Sequence, residues 1–306
     1  MTDIAVIIIN YNTSNYTLEC IDTVVKRTSE PISYDIIVVD NNSEPDDYIH
    51  LKTHFPKKDN IKLYRSDINT GFGGGNMFGV QFAKAKYFLF LNNDAMLLND
   101  CLSILKDFMD QHPQVGVCTA QNYDEHHNFV PSFDHNKGLR RFLFGRGFLE
   151  KINPKRYPKR KNEYQKPLKV DWVNGAFLFF RSEAFLKVGG FDTRIFLYWE
   201  EMDICYRLKK QGYDSFLVPE AKVLHFQGKS IGKSVAINKE GYISYLHVLR
   251  KNYSFLKYAV IRLYLVVALL LKPKKWYLLS VLLKADPSSV SLRHKQKPRT
   301  VHEHRN

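Results

Sequence analysis

The feature that most limits how this chain can fold is a series of short apolar runs that alternate with segments of helical periodicity. The runs at residues 4–9 and 36–39 contain only Ile, Val and one Ala. Continuous apolar runs of this kind are typical of strands buried on both faces of a parallel sheet. Residues 14–28 lie between them and carry Leu, Ile and Val at helical spacing. The chain is therefore expected to begin with a β-α-β unit.

The same alternation continues towards the C-terminus. Further strands are predicted at residues 61–64, 87–91 and 115–120, and helices at 76–86 and 100–110. This order predicts an α/β fold with a mostly parallel sheet flanked by helices. Because such sheets bind ligands at the carboxyl ends of their strands, the loops after the first four strands are the expected positions of the chemistry.

Beyond residue 121 the pattern is interrupted and then resumes. Residues 122–169 are polar and basic, which is long for a loop and indicates a functional excursion or a mobile lid. After them we predict a strand at 173–181, helices at 182–188 and 200–211, and closing strands at 215–218 and 222–224. These elements complete a domain at residues 1–230, which a basic helical extension (231–285) and a disordered basic tail (286–306) follow.

Cysteine usage and hydropathy limit the compartment. The four cysteines are widely scattered and form no C-x-x-C pair, which fits a reducing compartment. The start of the chain lacks the basic region of a signal peptide. The most apolar stretch, residues 259–271, is shorter than the roughly 20 residues that a membrane-spanning helix needs. We expect a cytoplasmic protein without a membrane span.

Positive charge is concentrated in two segments. The net charge is +14; residues 246–306 hold 13 Lys and Arg against two acidic residues, and residues 140–169 hold 11 against two. Basic, aromatic and apolar sequence together suits an anionic bilayer surface, although the same helices can also pack on a core. We expect peripheral association with the inner face of the cell membrane. Nucleic acid is not an expected partner, because no binding motif is present and the basic residues avoid the strand-end loops.

Small polar side chains follow the first two strands. Asn10, Tyr11 and Asn12 come after the first, and Asp40 and Asn42 after the second, where Asp40 is able to accept a hydrogen bond from a base or ribose. Asn and Asp are also favoured in plain turns, so each cluster alone is explained equally well by local backbone hydrogen bonding.

A glycine-rich segment follows the third strand. In residues 69–76, Gly71 and Gly74 let backbone N–H groups approach a phosphate, while Asn69 and Asn76 flank them at the start of a predicted helix. The segment is neither a Walker loop nor the dinucleotide fingerprint. A flexible loop without a ligand is the alternative.

Asn92, Asn93 and Asp94 come directly after the fourth strand. A carboxylate at the end of a buried strand can coordinate Mg²⁺ or Mn²⁺, which then bridges a diphosphate. A single Asp suffices only if other ligands help, and a turn that leads into a helix is the alternative.

Three acids, Glu200, Glu201 and Asp203, occupy the start of a predicted helix. They suit the positive end of the helix dipole, and burial beside aromatic residues would also raise a pKa and supply a general base. His225 follows a closing strand and precedes a Gly-Lys-Ser turn. A lone histidine is usually structural, but this position suits a metal or diphosphate contact.

Taken together, these clusters resemble the family 2 glycosyltransferases, and among them the bacterial rhamnosyltransferase-like branch. The resemblance runs from residue 4 to about residue 230. The matching segments are VIIINYN (6–12), VVDNNS (38–43), NTGFGGGN (69–76), FLNND (90–94), VNGAFLFFR (173–181), GGFD (189–192), YWEEMDICYRL (198–208) and HFQGKS (225–230).

The resemblance implies a GT-A fold with a nucleotide-sugar-binding half at residues 1–121 and an acceptor half at 170–230. Donor contacts are implied for the polar residues of the first four strand-end motifs. These residues are Asn10, Tyr11, Asn12, Asp40, Asn42, Asn69, Gly71, Gly74, Asn76, Asn92 and Asn93. Asp94 matches the last position of the family's metal-binding D-x-D, and His225 a position that often completes that site. Asn92 stands where many relatives have the first Asp.

On the acceptor side, the resemblance makes Glu201 the catalytic base, in place of the Asp that the family's E-D-x-D motif carries. Acceptor contacts are implied for Trp172, Asn174, Gly175, Glu200 and Asp203.

The implied reaction is an inverting transfer from a nucleoside-diphosphate sugar, with Mg²⁺ or Mn²⁺, onto a hydroxyl of a surface polysaccharide or lipid-linked oligosaccharide. The motifs favour dTDP-L-rhamnose as the donor; UDP-hexoses such as galactose, glucose and GlcNAc remain open. A sugar nucleotidyltransferase is the rival class, but it would carry a glycine- and basic-rich loop after the first strand.

Overall fold

A large twisted sheet organises the chain, whose computed structural model describes residues 1–226 and 234–299. The strands are β1 (Thr2–Asn10), β2 (Tyr34–Asp40), β3 (Ile61–Arg65), β4 (Ala85–Asn92), β5 (Ala95–Leu97), β6 (Val115–Tyr123), β7 (Phe129–Val130), β8 (Phe133–Asp134), β9 (Leu168–Val170), β10 (Trp172–Val173), β11 (Phe177–Arg181) and β12 (Asp214–His225). Within the described residues, ten strands form the main sheet in the order β3-β2-β1-β4-β11-β6-β12-β5, with β7 beside β6 and β9 beside β12.

The helices cover both faces of this sheet and extend beyond it. They are α1 (Ser14–Arg27), α2 (Pro45–His54), α3 (Gly71–Val80), α4 (Cys101–Gln111), α5 (Leu139–Phe144), α6 (Arg146–Ile152), α7 (Ser182–Lys187), α8 (Glu200–Lys210), α9 (Val235–Asn252), α10 (Phe255–Leu270) and α11 (Leu279–Leu282). Short 3-10 helices lie at Pro273–Leu278, Pro287–Val290 and Leu292–Lys295. The predicted α/β fold with a mostly parallel sheet is confirmed.

The first four long strands are parallel and end together. β1 lies between β2 and β4, with Asn10 opposite Asp40 and Ile9 opposite Asn92. Most side chains of β1 are fully buried, as expected for a strand covered on both faces. β11 then enters antiparallel to β4. The polar residues that follow these strands therefore meet at one edge of the sheet.

The glycine-rich segment differs from its prediction. The helix predicted at residues 76–86 begins at Gly71 and ends at Val80, so the glycines form its first turns instead of a loop before it. A Cβ added to Gly79 would lie 2.7 Å from Cγ2 of Ile7, and one added to Gly75 would lie 3.0 Å from Cδ1 of Ile9. These glycines let the helix approach β1 closely, which outweighs their low helix propensity.

Residues 122–169 contain β7, β8, α5, α6 and β9 instead of one continuous loop. Ion pairs tie this excursion together: the carboxylate of Asp134 pairs with Arg141 and Arg160, and Asp171 pairs with Arg156. Part of the basic charge of this segment is therefore neutralised internally.

The C-terminal helices pack on the acidic helix α8. Ile195 and Met202 share an apolar cluster with Leu246 and Leu249 of α9, and α10 adds Ile261 to it. α9 therefore packs directly against the α8 region, whereas α10 buries one face and exposes the other.

The predicted disordered tail is wrong for residues 287–299, which the structure describes as ordered. Glu240 of α9 anchors this tail: Oγ of Ser291 donates to Oε1 of Glu240 at 2.7 Å, and the N–H of Leu292 donates to Oε2 at 2.8 Å. A buried carboxylate thus holds a polar segment that has few apolar residues of its own. Across residues 1–226 and 234–299, no helix combines the length and the hydropathy needed to cross a membrane.

Candidate active site

Two cavities lie side by side at the carboxyl edge of the sheet. The first, which we call the strand-end cleft, has a volume of about 260 Å³. It is lined by Ile9, Tyr11, Thr13, Asn41, Asn69, Gly71, Phe72, Asn76, Leu91, Asn92, Asn93, Phe196, Leu197 and Ile237. Six of the predicted donor residues are therefore together: Tyr11, Asn69, Gly71, Asn76, Asn92 and Asn93.

Asn41 is the central polar residue of this cleft. Its Oδ1 accepts from the backbone N–H of Thr70 at 3.0 Å, and its Nδ2 donates to Oδ1 of Asn69 at 3.0 Å and to the carbonyl of Gly71 at 3.1 Å. Sequence reasoning selected its neighbour Asn42 instead. The side chain of Asn41 therefore joins the loop after β2 to the start of α3.

Gly71 links this cleft to the segment before α8. It adopts φ +73°, and a Cβ there would lie 2.0 Å from the carbonyl oxygen of Phe196, so only glycine fits. The N–H of Phe72 donates to that same carbonyl at 3.0 Å. Gly74, in contrast, packs against the side chain of Thr70 and does not line the cleft.

Asn10, Asp40 and Asn12 do not line the cleft, although they were predicted to contact the donor. Asn10 and Asp40 are fully buried, hydrogen-bond each other at 3.0 Å, and Asp40 pairs with Arg65 at 3.1 Å. Asn12 is an exposed turn residue with φ +58°, whose Oδ1 accepts from the N–H of Glu44 at 2.7 Å. All three side chains are used by internal partners, so they position the loops that form the cleft.

Asn42 binds the C-terminal tail. Its Nδ2 donates to the carbonyl of Lys297 at 2.8 Å, and its backbone carbonyl accepts from the Arg299 guanidinium at 2.8 Å. The same guanidinium pairs with Glu44 at 2.8 Å and lies 5.8 Å from the ring centre of Tyr11. The tail therefore lies against Tyr11, and Tyr11 lines the cleft.

Asp94 and His225 form a buried pair below the cleft. Oδ1 of Asp94 lies 3.4 Å from Nε2 of His225, and Asp94 is only 1% exposed. Neither carboxylate oxygen of Asp94, nor Nδ1 of His225, has a hydrogen-bond partner among the residues that the structure describes. Unpaired buried acceptors of this kind are costly unless a ligand satisfies them.

These donors fit a divalent cation. Carboxylate oxygen and imidazole nitrogen are both ligands of Mn²⁺-type ions, and such ions often take their remaining ligands from water and substrate phosphates. Within residues 1–226 and 234–299, no group of three or more His, Cys, Asp or Glu side chains converges on one point. Gln227 to Ser230, part of the last sequence motif, lie outside the described residues.

The acidic helix α8 starts from a strained backbone. Tyr198 and Trp199 both adopt positive φ, +71° and +74°, which is unusual for bulky residues and typical of functional sites. Directly after them, Oε1 of Glu201 packs against Gly175 so tightly that a Cβ on that glycine would lie 2.1 Å away. Gly175 therefore holds the predicted base in place instead of lining the acceptor site.

Burial separates the acid–base behaviour of the two glutamates. It raises the pKa of Glu201 to about 6, against which the backbone N–H groups of Glu201 and Gly175 act by stabilising the carboxylate. Burial, and the nearby charge of Glu201, raise the pKa of Glu200 further, and its Oε1 has no partner within the described chain. With a pKa of about 6, Glu201 is mostly deprotonated at neutral pH, which is the state a general base needs.

Asp203 is not available to an acceptor, contrary to its prediction. It is fully buried, and its carboxylate pairs with Arg207 at 2.7 Å, Lys251 at 3.0 Å and the Asn252 amide at 2.7 Å. Glu200 also lies outside the neighbouring cavity. Neither acid therefore lines the neighbouring cavity, and Asp203 stabilises α8 through its internal partners.

The second cavity, which we call the aromatic cavity, has a volume of about 490 Å³. It is lined by Lys137, Phe142, Trp172, Asn174, Tyr198, Trp199, Glu201, Ile237, Asn238, Gly241, Tyr242, Tyr245 and Leu265. Trp172 and Asn174, which were predicted to contact the acceptor, and Glu201, the predicted base, are among these residues. The residues from α5, α9 and α10 were missed, because no local motif marks them and only the tertiary fold brings them to this site.

Glu201 lines the aromatic cavity and follows a chain segment that contributes to both cavities. Phe196 and Leu197 line the strand-end cleft, the next two residues line the aromatic cavity, and Ile237 lines both. The arrangement can hold one ligand in each cavity, with the Glu201 carboxylate in the lining of the aromatic cavity. It is therefore suited to proton removal during transfer between two bound molecules.

Comparison with known proteins shows the family of this chain. A family model described as glycosyl transferase family 2 matches residues 5–187. The rhamnosyltransferase WbbL of Escherichia coli K12 is 28% identical over 235 residues, which cover 72% of this chain and 82% of that protein. An N-acetylglucosaminyl-diphospho-decaprenol L-rhamnosyltransferase of Mycobacterium tuberculosis is 46% identical over 67 residues, which are 22% of each chain.

Solved structures share the fold at low sequence identity. GalNAc-T7, crystallised with UDP, GalNAc and Mn²⁺, superposes with a TM-score of 0.58 at 17% identity, over 81% of this chain and 48% of that one. Residues 1–349 of Staphylococcus aureus TarS superpose with a TM-score of 0.55 at 12% identity, over 90% of this chain and 74% of that one. The expected GT-A fold is confirmed.

Proposed function

Because this chain belongs to glycosyl transferase family 2, we propose that it is an inverting enzyme that transfers a sugar from a nucleoside diphosphate onto an acceptor hydroxyl. The donor would occupy the strand-end cleft and the acceptor the aromatic cavity. The observation that carries this proposal is the position of the Glu201 carboxylate, which lines the aromatic cavity just after the segment that lines the strand-end cleft.

In this mechanism Glu201 removes the proton from the acceptor hydroxyl as its oxygen attacks C1 of the donor sugar. Attack comes from the side of the aromatic cavity, opposite the diphosphate, so the configuration at C1 inverts. Asn41, Asn69 and the amide-rich start of α3 lie in the strand-end cleft, where they would orient the anionic donor. Gly175 keeps the Glu201 carboxylate in place during proton transfer.

Asp94 and His225 would hold Mg²⁺ or Mn²⁺, since the Asp94 oxygens lack any other partner in the described chain. When bound, such a cation stabilises the charge of the departing diphosphate, so that no general acid is needed. With only two protein ligands, and the remaining ligands supplied by the donor, the affinity for the metal would depend on whether the donor is bound.

The donor we favour is dTDP-L-rhamnose, because two relatives in sequence are named as rhamnosyltransferases. A UDP-hexose is the second candidate, since the fold-level relative GalNAc-T7 was crystallised with UDP. Family membership argues against a sugar nucleotidyltransferase.

The acceptor side is proposed to face the inner surface of the cell membrane, with a lipid-linked or surface-polysaccharide acceptor. One face of α10 and the segment after it expose large apolar side chains, and lysines surround them. The exposed apolar residues are Phe255, Leu256, Val260, Leu263, Tyr264, Val267, Leu270, Leu271 and Trp276. A patch of this kind suits the interface of an anionic bilayer.

Vesicle binding tests this surface. Wild-type protein is expected to sediment with vesicles that contain an anionic phospholipid, and the double variant Leu263→Asp/Leu270→Asp to stay in solution. Equal sedimentation of the two proteins would contradict a membrane role for α10.

The proposed activity is tested by incubation with Mn²⁺ and a panel of dTDP- and UDP-sugars, with release of the nucleoside diphosphate as the signal. Slow turnover of one donor that a chelator abolishes supports the proposal and identifies the donor. Donor binding is read by thermal shift in the same samples. If no donor turns over and none stabilises the protein, the proposed activity is wrong.

A further inference from the structure

The aromatic cavity contains one unpaired cation. Of the residues that line it, only Lys137 and Glu201 carry full charges. The ammonium of Lys137 lies 4.5 Å from the ring centre of Trp199, and within residues 1–226 and 234–299 it forms no salt bridge and donates no hydrogen bond. The nearby Arg141 is different, because its guanidinium pairs with the buried Asp134.

The surroundings hold Lys137 in this position. The hydroxyl of Tyr245 donates to the backbone carbonyl of Lys137. The indole N–H of Trp199 donates to the carbonyl of Gly241 at 2.8 Å, and its ring lies 4.7 Å from that of Tyr245. Partial burial lowers the pKa of Lys137, because the charged form loses water. Asp134 acts on Lys137 electrostatically, but within the described residues no carboxylate forms a salt bridge with it, so a cation held beside aromatic rings is poised to receive an anion.

One wall of the cavity continues into exposed apolar surface. Phe142 of α5 and Leu265 of α10 line the cavity together with Asn174 and Glu201. The Phe142 ring lies 5.0 Å from that of Tyr264, which is 41% exposed and belongs to the apolar face of α10. A molecule in this cavity therefore has a carboxylate, a cation and an adjoining apolar surface within its surroundings.

We propose that Lys137 binds the phosphate that joins the acceptor saccharide to its lipid chain. This assignment rests on the proposed function and goes further, because it makes the acceptor a lipid-linked saccharide phosphate or diphosphate and excludes a neutral polysaccharide chain. The sugar hydroxyl lies at Glu201, the phosphate at Lys137, and the lipid leaves between α5 and α10. Lys137 is then a specificity residue, since a neutral glycolipid gains nothing from it.

Tryptophan fluorescence gives a test that does not require turnover. The chain has three tryptophans, and Trp172 and Trp199 line the aromatic cavity. With the exposed Trp276 changed to Phe, the signal comes from the cavity alone. The probes are decyl diphosphate, which carries phosphate and an alkyl chain, and decyl maltoside, which is neutral, both below their micelle concentrations.

Lys137→Gln is expected to weaken decyl diphosphate binding about tenfold or more and to leave decyl maltoside binding unchanged, while Lys137→Arg restores most of the affinity. Lys275→Gln, a matched change on the exposed C-terminal segment, is expected to change neither. Unaltered decyl diphosphate affinity in Lys137→Gln would overturn the assignment. Equal loss of both probes would do the same, because it would indicate a structural role.

The two proposals fail in different ways. If the proposed transferase activity is wrong, the unmodified protein turns over no donor, whatever the fluorescence titrations give. If the Lys137 assignment is wrong, donor turnover can be normal while decyl diphosphate and decyl maltoside respond alike to Lys137→Gln.

Discussion

The strand-end cleft and the aromatic cavity share Ile237 but are built in different ways. The cleft is formed mostly by loops that follow β1, β2, β3 and β4. Its residues therefore come directly after sequences that clearly predict strands. The cavity is formed by segments that lie far apart in the chain, from Lys137 to Leu265, and by aromatic side chains. The cleft is a site at the edge of the sheet, whereas the cavity is a site between helices.

This difference bears on what each region does. Parallel strands fix the geometry of the cleft, as expected where a common donor type must be bound in one way. The cavity depends on the packing of α5, α9 and α10, elements that can vary without disturbing the sheet. In the proposed mechanism, donor binding thus depends on the core of the fold, and acceptor choice on the helices that pack against it.

Asp94→Asn is expected to damage the cleft and spare the cavity. Without the carboxylate charge, metal-supported donor binding is lost, and we expect kcat/KM to fall by about 10³-fold. Donor titrations followed by thermal shift, with and without Mn²⁺, measure the effect, and decyl maltoside binding should persist. Asp59→Asn, an exposed acid, is the matched control. Retention of a normal Mn²⁺ response in Asp94→Asn would contradict the assigned metal ligand.

Gly175→Ala should produce the opposite pattern. The new Cβ would fall 2.1 Å from Oε1 of Glu201 and displace the base, so we expect kcat to drop about 100-fold with donor affinity unchanged. Initial rates and donor binding in one preparation separate the two quantities. Gly147→Ala, where a Cβ meets nothing within 4 Å, controls for the substitution itself. Wild-type kcat in Gly175→Ala would show that Glu201 can move without consequence.

The pH dependence of the transfer rate should report the ionisation of Glu201, which lines the aromatic cavity. Burial raises the pKa of Glu201 to about 6, and a base works only when deprotonated. The rate is therefore expected to rise about tenfold between pH 5 and pH 7 and to level off above pH 7. The profile is measured at saturating donor and metal, with donor binding followed at each pH. A rate that falls as the pH rises through 6 would exclude Glu201 as the base.

Arg299→Ala should give the smallest effect and act only on the cleft. Its guanidinium supports Asn42 and Tyr11 from the tail, so we expect donor KM to rise about threefold at constant kcat. Initial rates over a range of donor concentrations decide this, and Arg293→Ala in the same tail is the control. If kcat falls instead and donor KM does not change, the tail acts on the chemistry and not on the donor site.

The contrast between the cleft and the cavity also explains how much of this site can be predicted from the sequence. Asn69, Asn92 and Asn93, which were predicted to contact the donor, line the cleft, because the strands before them are unambiguous and end at one edge. Asn10 and Asp40 carried the same signal but turned out buried, since Arg65 from another strand satisfies Asp40. Strand-end motifs locate a loop well but do not show which side chain of the loop points outward.

The cavity was largely beyond prediction. Lys137, Tyr245 and Leu265 have no shared spacing, and more than a hundred residues separate the first two. The tail was taken as disordered because it lacks apolar residues, yet one buried carboxylate, Glu240, orders its start. Long-range contacts of this kind leave no periodic signal in the sequence.

The central claim is that Glu201 is the base that acts in transfer from a donor site to an acceptor site. The most direct measurement compares Glu201→Gln with wild type for donor affinity and for transfer, once the donor is identified. We predict donor affinity within twofold of wild type and a transfer rate lower by at least about 10²-fold. Transfer within about twofold of wild type, or loss of donor binding together with transfer, would contradict it.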